Sequence, residues 1–258
     1  VDSCEKRNAL KKALGFLERA EAIDALNPSV RRARFRLVAA TAIRHLGRIN
    51  PRLLRADVEQ LAKLPQLGEG DRPALVDALR CAVSWIEDDT QAALEIFARL
   101  SQSLGGPGAR LLLQCLVPPT SVALAGFPAD ASSDGESDNL MNSIGRVCVL
   151  GEDVGLAVRL DGEWDDRLRP VLSKSRAPEV RVLTAMGEAA LRGESLRLAH
   201  EISRIGLSLG GPATGRFLLL RGRSLLRWWG YRRERCFAAA LALARADRDS
   251  GLIDSVLR

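Results

Sequence analysis

Two helix-breaking phrases each occur twice along this chain, and they restrict the folds open to it. Asn-Pro stands at 27–28 and again at 50–51, and Gly-Gly-Pro stands at 105–107 and again at 210–212. Asn caps the start of a helix, and Pro suits its first turn. Gly ends a helix, because it adopts the left-handed backbone that closes the last turn. The phrases therefore predict a series of helices joined by short turns.

The residues between these phrases also favour helices. Hydrophobic residues make up 47% of the 258 residues, but aromatic residues only 4%. Leu, Ala, Arg and Glu are frequent and are strong helix formers, whereas strands favour aromatic and β-branched residues. We find no convincing alternating strand pattern, and we predict an all-α fold. The predicted helices span 5–26, 28–46, 51–64, 72–85, 90–104, 108–116, 178–191, 195–208, 213–228, 231–246 and 249–257.

The two Gly-Gly-Pro phrases belong to a longer internal similarity. Before each phrase, apolar residues follow at a spacing of four and then three: Ala93, Phe97 and Leu100 in the first copy, and Leu198, Ile202 and Ile205 in the second. The same spacing recurs at Leu54, Val58 and Leu61. Such residues share one face of a helix. Phe97 follows Val58 by 39 residues, and Phe237 follows Ile202 by 35 residues. Recurrence at such a period predicts a stacked array of helix pairs.

This array resembles the tetratricopeptide repeat family, whose unit is a pair of antiparallel helices. The segment QAALEIFARLSQSLGG at 91–106 is similar to the second helix of that unit, and RCFAAALALA at 235–244 is similar to its second half. The Trp, Leu-Gly and Tyr pattern of the family's first helix is missing, and Arg233 replaces a small residue. The resemblance covers about 28–116 and 178–258. It implies a right-handed superhelix with a concave groove that binds peptides or partner helices.

The middle of the chain differs in composition from both ends. The segment ADASSDGESDN at 129–139 is small, acidic and polar, which is typical of disorder. We predict three segments: N-terminal helical repeats over 1–117, a polar and partly disordered linker or insertion over 118–176, and C-terminal helical repeats over 177–258. One or two short helices are expected in the insertion, around 152–160 and 164–173. The predicted fold is an α-solenoid of antiparallel helix pairs with a poorly ordered central insertion.

Arginine and aromatic residues mark the candidate binding surface. The chain has a formal net charge of +6. The segment RGRSLLRWWGYRRER at 221–235 combines six Arg with Trp and Tyr. Three interpretations are open. Arg and aromatic side chains anchor protein partners, and they also stack on nucleic-acid bases. Alternatively, one Trp packs between helices and the Arg side chains are solvated charges around it. The candidate partner-binding residues are Arg227, Trp228, Trp229, Tyr231 and Arg232, followed by Arg32, Arg36 and Arg44.

Other motifs give no support for catalysis or cofactor binding. Gly210 and Gly215 have the spacing of a phosphate-binding loop, but Arg216 and Phe217 replace its Lys and Ser or Thr. The chain has only two histidines, and neither has metal-ligand spacing to other residues. We interpret both histidines, His45 and His200, as residues at the edge of a hydrophobic core. Carboxylates in the middle segment are interpreted as solvated. We therefore predict no catalytic residue, metal or cofactor, and a protein that is not an enzyme.

The expected function is protein–protein interaction, as an adaptor, scaffold or regulatory subunit that binds an acidic or amphipathic segment of a partner through a concave helical surface. The alternative is an Arg-rich helical array that binds nucleic acid. The five cysteines are widely spaced without a Cys-x-x-Cys motif, which favours a reducing cytoplasm. No apolar run reaches the roughly 20 residues that span a bilayer. Because the chain begins with Val1, we expect it to be part of a longer protein or a trimmed chain.

Overall fold

The computed structural model describes residues 10–48, 50–64, 71–117, 137–172, 179–225 and 229–257. Within these ranges the chain forms thirteen α-helices and no strand, which confirms the all-α prediction. The helices are α1 Leu10–Asp24, α2 Pro28–Gly47, α3 Pro51–Lys63, α4 Arg72–Ile86, α5 Thr90–Leu104, α6 Gly106–Leu116, α7 Ser137–Val154, α8 Gly162–Leu172, α9 Val180–Arg192, α10 Leu196–Leu209, α11 Thr214–Ser224, α12 Gly230–Ala246 and α13 Ser250–Leu257.

The chain divides into two compact units. The N-terminal unit contains Val1–Ala131 and Leu150–Leu156, and the C-terminal unit contains Ser132–Val149 and Ala157–Arg258. The range 118–176, in which we expected a linker or insertion, contains helices α7 and α8. The acidic segment at 129–136 lies outside the described residues.

The predicted helix starts are confirmed in the N-terminal unit. The Asn27 side chain accepts a hydrogen bond from the Ser29 N–H at 2.9 Å, and Pro28 begins α2. Asn50 caps α3 in the same way, accepting from Leu53 at 3.3 Å. These side chains satisfy N–H groups that have no partner inside the helix. The chain therefore stops and restarts its helices by local chemistry at these positions.

The two Gly-Gly-Pro phrases both join helices, but they do so differently. At the first, Gly105 alone lies between α5 and α6, with φ of 80°. At the second, both Gly210 and Gly211 have positive φ, 66° and 83°, and α11 begins only at Thr214. The second joint needs a longer turn, because two residues rather than one adopt the left-handed conformation. The prediction that Pro lies in the first turn of the next helix is confirmed only for the first copy, where Pro107 follows Gly106 in α6.

A helical hairpin recurs three times, as α4–α5, α9–α10 and α12–α13. In each turn one non-glycine residue has a positive φ: Asp88, Glu194 and Arg248, at 63°, 61° and 55°. In each, the next N–H closes the turn with a 2.9 Å hydrogen bond to a carbonyl of the first helix: Asp89 to Ser84, Ser195 to Ala190, and Asp249 to Ala244. This is the Schellman pattern of helix termination. The fold therefore has a helical-repeat character.

The apolar residues that suggested the repeat pack into the core. Eight of the nine side chains are buried, whereas that of Ile205 is half-buried. The buried eight are Leu54, Val58, Leu61, Ala93, Phe97, Leu100, Leu198 and Ile202. In the C-terminal unit, glycines allow helices to pack closely. A Cβ at Gly206 of α10 would lie 2.3 Å from the ring of Phe217 on α11. A Cβ at Gly222 of α11 would lie 2.5 Å from the ring of Phe237 on α12. These close approaches set the positions of the three helices.

Two predicted helices differ from the structure. The helix expected at 152–160 is wrong, because α7 ends at Val154 and residues 156–161 are non-helical. Gly155, with φ of 74°, supports this ending. The helix expected at 213–228 is wrong at Leu225, which is extended after α11 ends at Ser224. Its last three residues, 226–228, lie outside the described ranges.

The length and apolar character of a helix decide whether it can cross a bilayer. Spanning one takes about 20 mainly apolar residues. Among the described residues, no helix combines the length and the apolar character that crossing a membrane requires.

Candidate partner-binding cleft

The C-terminal unit contains a cleft of about 1400 Å³ that is lined by α8, α10, α11, α12 and the turn between α9 and α10. Five arginines contribute to its lining: Arg169, Arg197, Arg221, Arg232 and Arg235. We call it the arginine cleft. Small-molecule pockets usually have volumes of about 300 to 1000 Å³. The size of the arginine cleft therefore suits a larger ligand than most cofactors.

Two carboxylates in the cleft are paired with arginines on their own helices, so they do not neutralise the other arginines of the cleft. On α8, Asp165 forms an ion pair with Arg169 at 2.9 Å. On α10, Glu201 accepts hydrogen bonds from Nε of Arg204 at 3.1 and 3.2 Å. This contact with Arg204 is the largest cause of the lowered pKa of Glu201, which is therefore ionised at neutral pH. Each of these carboxylates is thus held by a neighbour on its own helix.

Among the described residues, four arginines of the cleft have no carboxylate within ion-pair distance: Arg197, Arg221, Arg232 and Arg235. Arg197 lies exposed near the start of α10, and Arg221 is half-buried on α11. A guanidinium that is partly removed from water without a counter-charge favours binding of an anion. The unpaired charge therefore lies where a ligand would enter.

Aromatic side chains orient two further arginines at the start of α12. The Arg232 guanidinium stacks 4.5 Å from the ring centre of Trp229, and that of Arg235 lies 5.8 Å from the ring of Tyr231. Stacking of this kind restricts the side chain and leaves the edge of the guanidinium free for hydrogen bonds. Trp229 and both arginines line the cleft. Tyr231 is 73% exposed and supports Arg235 from outside the lining.

The structure brings together part of the predicted binding set. Trp229 and Arg232 line the cleft, and Tyr231 lies beside it through its contact with Arg235. Arg227 and Trp228 lie outside the described residues.

The second predicted group lies on another helix, in the N-terminal unit. Arg32, Arg36 and Arg44 are on α2 and are not among the residues that line the cleft. Arg32 and Arg44 are exposed, and Arg36 is half-buried. Nε of Arg32 donates to the Pro28 carbonyl at 3.3 Å.

His200 is a cleft residue that the sequence did not single out for binding. It lies half-buried on α10, and its Nδ1 is 3.4 Å from Oγ of Ser224 on α11. Burial lowers the pKa of His200 below its ordinary value, and the positive charges of Arg221 and Arg204 lower it further, against the opposing effect of Glu201. His200 is therefore neutral at pH 7. No sequence spacing indicated this position, because the cleft is formed by separate helices.

Elsewhere, the titratable residues form structural contacts. Burial raises the pKa of the Cys81 thiol to about 12, and its Sγ donates to the Ala93 carbonyl at 3.4 Å. Nδ1 of His45 on α2 lies 2.5 Å from a carboxylate oxygen of Asp57 on α3. Among the described residues, no group of three or more His, Cys, Asp or Glu side chains is arranged to hold a metal ion.

The function of the chain has to be inferred from its own geometry. No protein-family model matches the sequence, and neither the curated proteins nor the solved structures include a significant match. The arginine cleft and the repeated helical hairpin are therefore the features of the chain that bear on its function.

Proposed function

We propose that this chain is a protein-interaction module, an adaptor or regulatory subunit, and that its arginine cleft binds an acidic segment of a partner protein. The unpaired charge of Arg197 and Arg221 inside a cleft of about 1400 Å³ is the observation that carries this proposal. Arginine binds carboxylates through charge-assisted and often paired hydrogen bonds. A segment rich in Asp and Glu would supply the counter-charge that the described residues of the chain do not.

Apolar residues at the cleft favour a partner segment that also has hydrophobic side chains. Leu218, Leu225 and Ala239 lie among the arginines, together with Trp229, which is 41% exposed. Aromatic residues and arginine contribute most of the binding energy in protein interfaces. An acidic segment with one or two hydrophobic residues would therefore match the cleft better than a purely charged one.

The carboxylates in the cleft favour a protein partner over nucleic acid. Asp165, Glu194 and Glu201 line the same cleft as the arginines. A nucleic-acid backbone carries a regular row of phosphates, which these carboxylates would repel. An acidic peptide has fewer charges and more freedom to place them. We therefore propose protein binding and treat nucleic acid as an outcome that the experiment tests.

We further propose that the repeated hairpins form a tetratricopeptide-like α-solenoid. Support comes from the shared geometry of the turns at Asp88, Glu194 and Arg248 and from the packing of adjacent helices against each other. Helix pairs that stack in this way leave an extended binding surface. The arginine cleft would be part of that surface.

The test measures binding of a fluorescent peptide that carries four Asp or Glu and two Leu. Exchanging Arg221 and Arg232 for Glu together should weaken binding at least tenfold, since one charge-assisted hydrogen bond contributes about 1.5 to 3 kcal/mol and 1.4 kcal/mol is tenfold in affinity. The matched control exchanges Arg192 and Arg245 for Glu. Both are exposed outside the cleft lining, so the change in net charge is the same. Equal weakening by the two double variants would reject the cleft as the binding site.

The salt dependence of binding separates the two partner classes. A nucleic acid releases several counterions, so its affinity falls steeply with salt. We expect the peptide to bind with a shallow salt dependence and a single-stranded oligonucleotide to bind weakly. Tight oligonucleotide binding with a steep salt slope, lost in the Arg221 and Arg232 variant, would favour the nucleic-acid alternative.

A further inference from the structure

Three side chains at the α10–α11 side of the arginine cleft form a distinct cluster. His200 comes from α10, and Arg221 and Ser224 come from adjacent turns of α11. Residues three apart on a helix share a face, so the guanidinium and the hydroxyl reach the cleft together. Ser224 is 5% exposed. The cluster therefore rests on a buried serine, and all three of its residues line the cleft.

The hydrogen bonds of Ser224 determine which imidazole nitrogen takes up a proton. Its Oγ donates its single hydrogen to the Arg221 carbonyl at 2.9 Å. The same oxygen therefore accepts from Nδ1 of His200, 3.4 Å away. Because Nδ1 carries the hydrogen of the neutral ring, Nε2 is the nitrogen that becomes protonated. Nε2 has no partner among the described residues.

We propose that His200 and Arg221 form an oxyanion subsite in the arginine cleft, in which a carboxylate of the bound segment lies between the guanidinium and the protonated imidazole. Ser224 is a positioning residue that holds the ring. The inference rests on the proposed function, because the acidic segment supplies the carboxylate. The proton comes from solvent, so binding of the segment takes up a proton.

The charges around His200 explain why the proton arrives only with the ligand. The titratable and charged groups that line the cleft with it are Arg221 on α11, Arg197 and Glu201 on α10, Asp165 and Arg169 on α8, Glu194 in the α9–α10 turn, and Arg232, Arg235 and Cys236 on α12. Arg204 also acts on His200 from α10. Burial and the cations lower the pKa of His200 in the free protein. A carboxylate beside the ring reverses this, because an opposite charge stabilises the protonated form.

The decisive experiment is an NMR titration of the imidazole signals of the full chain, with and without saturating citrate as the carboxylate probe. The chain has only two histidines, so the variant His200→Gln assigns both signals. Citrate should raise the pKa of His200 by about one pH unit, which is typical of an opposite charge within roughly 4 to 6 Å. The His45 signal at fixed pH should stay in place. An unchanged His200 titration would overturn the subsite.

A second variant separates direct participation of Arg221 from a structural role. Arg221→Gln removes a cation that acts on His200. The pKa of His200 in the free protein should therefore rise, whereas the further increase caused by citrate should shrink. A structural role alone would not produce these opposite changes. If the free pKa and the citrate response both matched those of wild type, Arg221 would not belong to the subsite.

Peptide binding then distinguishes failure of the subsite from failure of the proposed function. Between pH 5.5 and 8, wild-type affinity should fall as pH rises, by up to about tenfold in total, which is the limit set by a pKa that differs by about one unit between the free and bound protein. His200→Gln should show a flat profile. Binding with the same pH profile in both proteins would reject the subsite and leave the proposed function intact. Absence of binding at every pH would reject the proposed function, and the citrate titration would still decide whether the anion site exists.

Discussion

A single methyl group at Gly193 tests how the non-helical segment 157–161 is held against the end of α9. Gly193 has φ of −87°, which any residue adopts, so its backbone does not require glycine. The constraint is space, because a Cβ there would lie 2.1 Å from the carbonyl oxygen of Leu160 and 2.8 Å from the Asp161 nitrogen. Both atoms belong to the backbone, so no side-chain rotation relieves the clash. In Gly193→Ala the segment has to move away from α9.

The cost of this movement follows from the contacts that it disturbs. The Leu160 N–H donates to the Ala189 carbonyl at 3.0 Å, and losing that bond costs about 1 kcal/mol. Leu160 and Val158 are fully buried, and displacing packed side chains costs about 1 to 3 kcal/mol. The free energy of unfolding of the C-terminal unit should therefore fall by about 2 to 4 kcal/mol in Gly193→Ala.

Urea unfolding followed by far-UV circular dichroism and tryptophan fluorescence measures this loss. Trp164 lies in the same unit and is buried, so fluorescence reports on the affected region. Gly162→Ala is the matched control, because a Cβ at Gly162 would meet nothing within 4 Å. The reasoning fails if the two variants differ by less than about 0.5 kcal/mol, the usual effect of a substitution without special contacts.

Further predictions concern glycine conformation, histidine titration and a buried thiol. Gly105 has φ of 80° and ψ of 150°, a backbone region that only glycine adopts readily, so Gly105→Ala should lower the free energy of unfolding by about 1 to 3 kcal/mol. Gly15→Ala within α1 should instead raise it by about 0.5 to 1 kcal/mol. Thermal unfolding of the two variants measures both changes. Burial and Arg221 lower the pKa of folded His200 below its ordinary 6.5, so the unfolded chain binds the proton more readily and stability should fall as pH drops through about 6.5. Melting temperatures at pH 7.5 and 5.5 should show a smaller fall in His200→Gln, and equal falls would contradict this. Cys81, with its pKa near 12, should resist alkylation by iodoacetamide at pH 8 until the chain unfolds, as peptide mass spectrometry would show.

Local chemistry made the helix boundaries predictable, whereas the cleft depends on contacts between distant residues. Asn27 and Asn50 cap helices with side chains that act two or three residues away, so the sequence alone locates them. Trp229 and Arg232 were also predicted, because they stand together in one Arg-rich segment. His200 was not, because its role comes from α11, which packs beside α10 only in the folded chain.

Glycine had opposite meanings at two positions of the central segment, and the sequence did not distinguish them. Gly155 ends α7 with a positive φ, as a glycine in a loop does. Gly145 lies inside α7, where a Cβ would come within 2.4 Å of the Val182 side chain. The prediction contained no helix before residue 152 in this segment, whereas α7 spans Ser137–Val154. The alternation of Leu156, Val158 and Leu160, all buried, was a signal of extended chain that the helix prediction for 152–160 overlooked.

The structure also shows what the repeated Gly-Gly-Pro phrase separates. In α4–α5–α6 and again in α9–α10–α11, a hairpin is followed by one helix that packs against both of its members. Gly105 and Gly210 each stand before that third helix, whereas the hairpin turns use non-glycine residues in the left-handed conformation. The recurring element is thus a hairpin with an added helix, and α7 and α8 stand between its two copies in the order of the chain. The α12–α13 hairpin has the same kind of turn as the other two hairpins. Three different residues occupy the left-handed position of these turns, so hydrogen bonds to the preceding helix, rather than residue identity, define the turn.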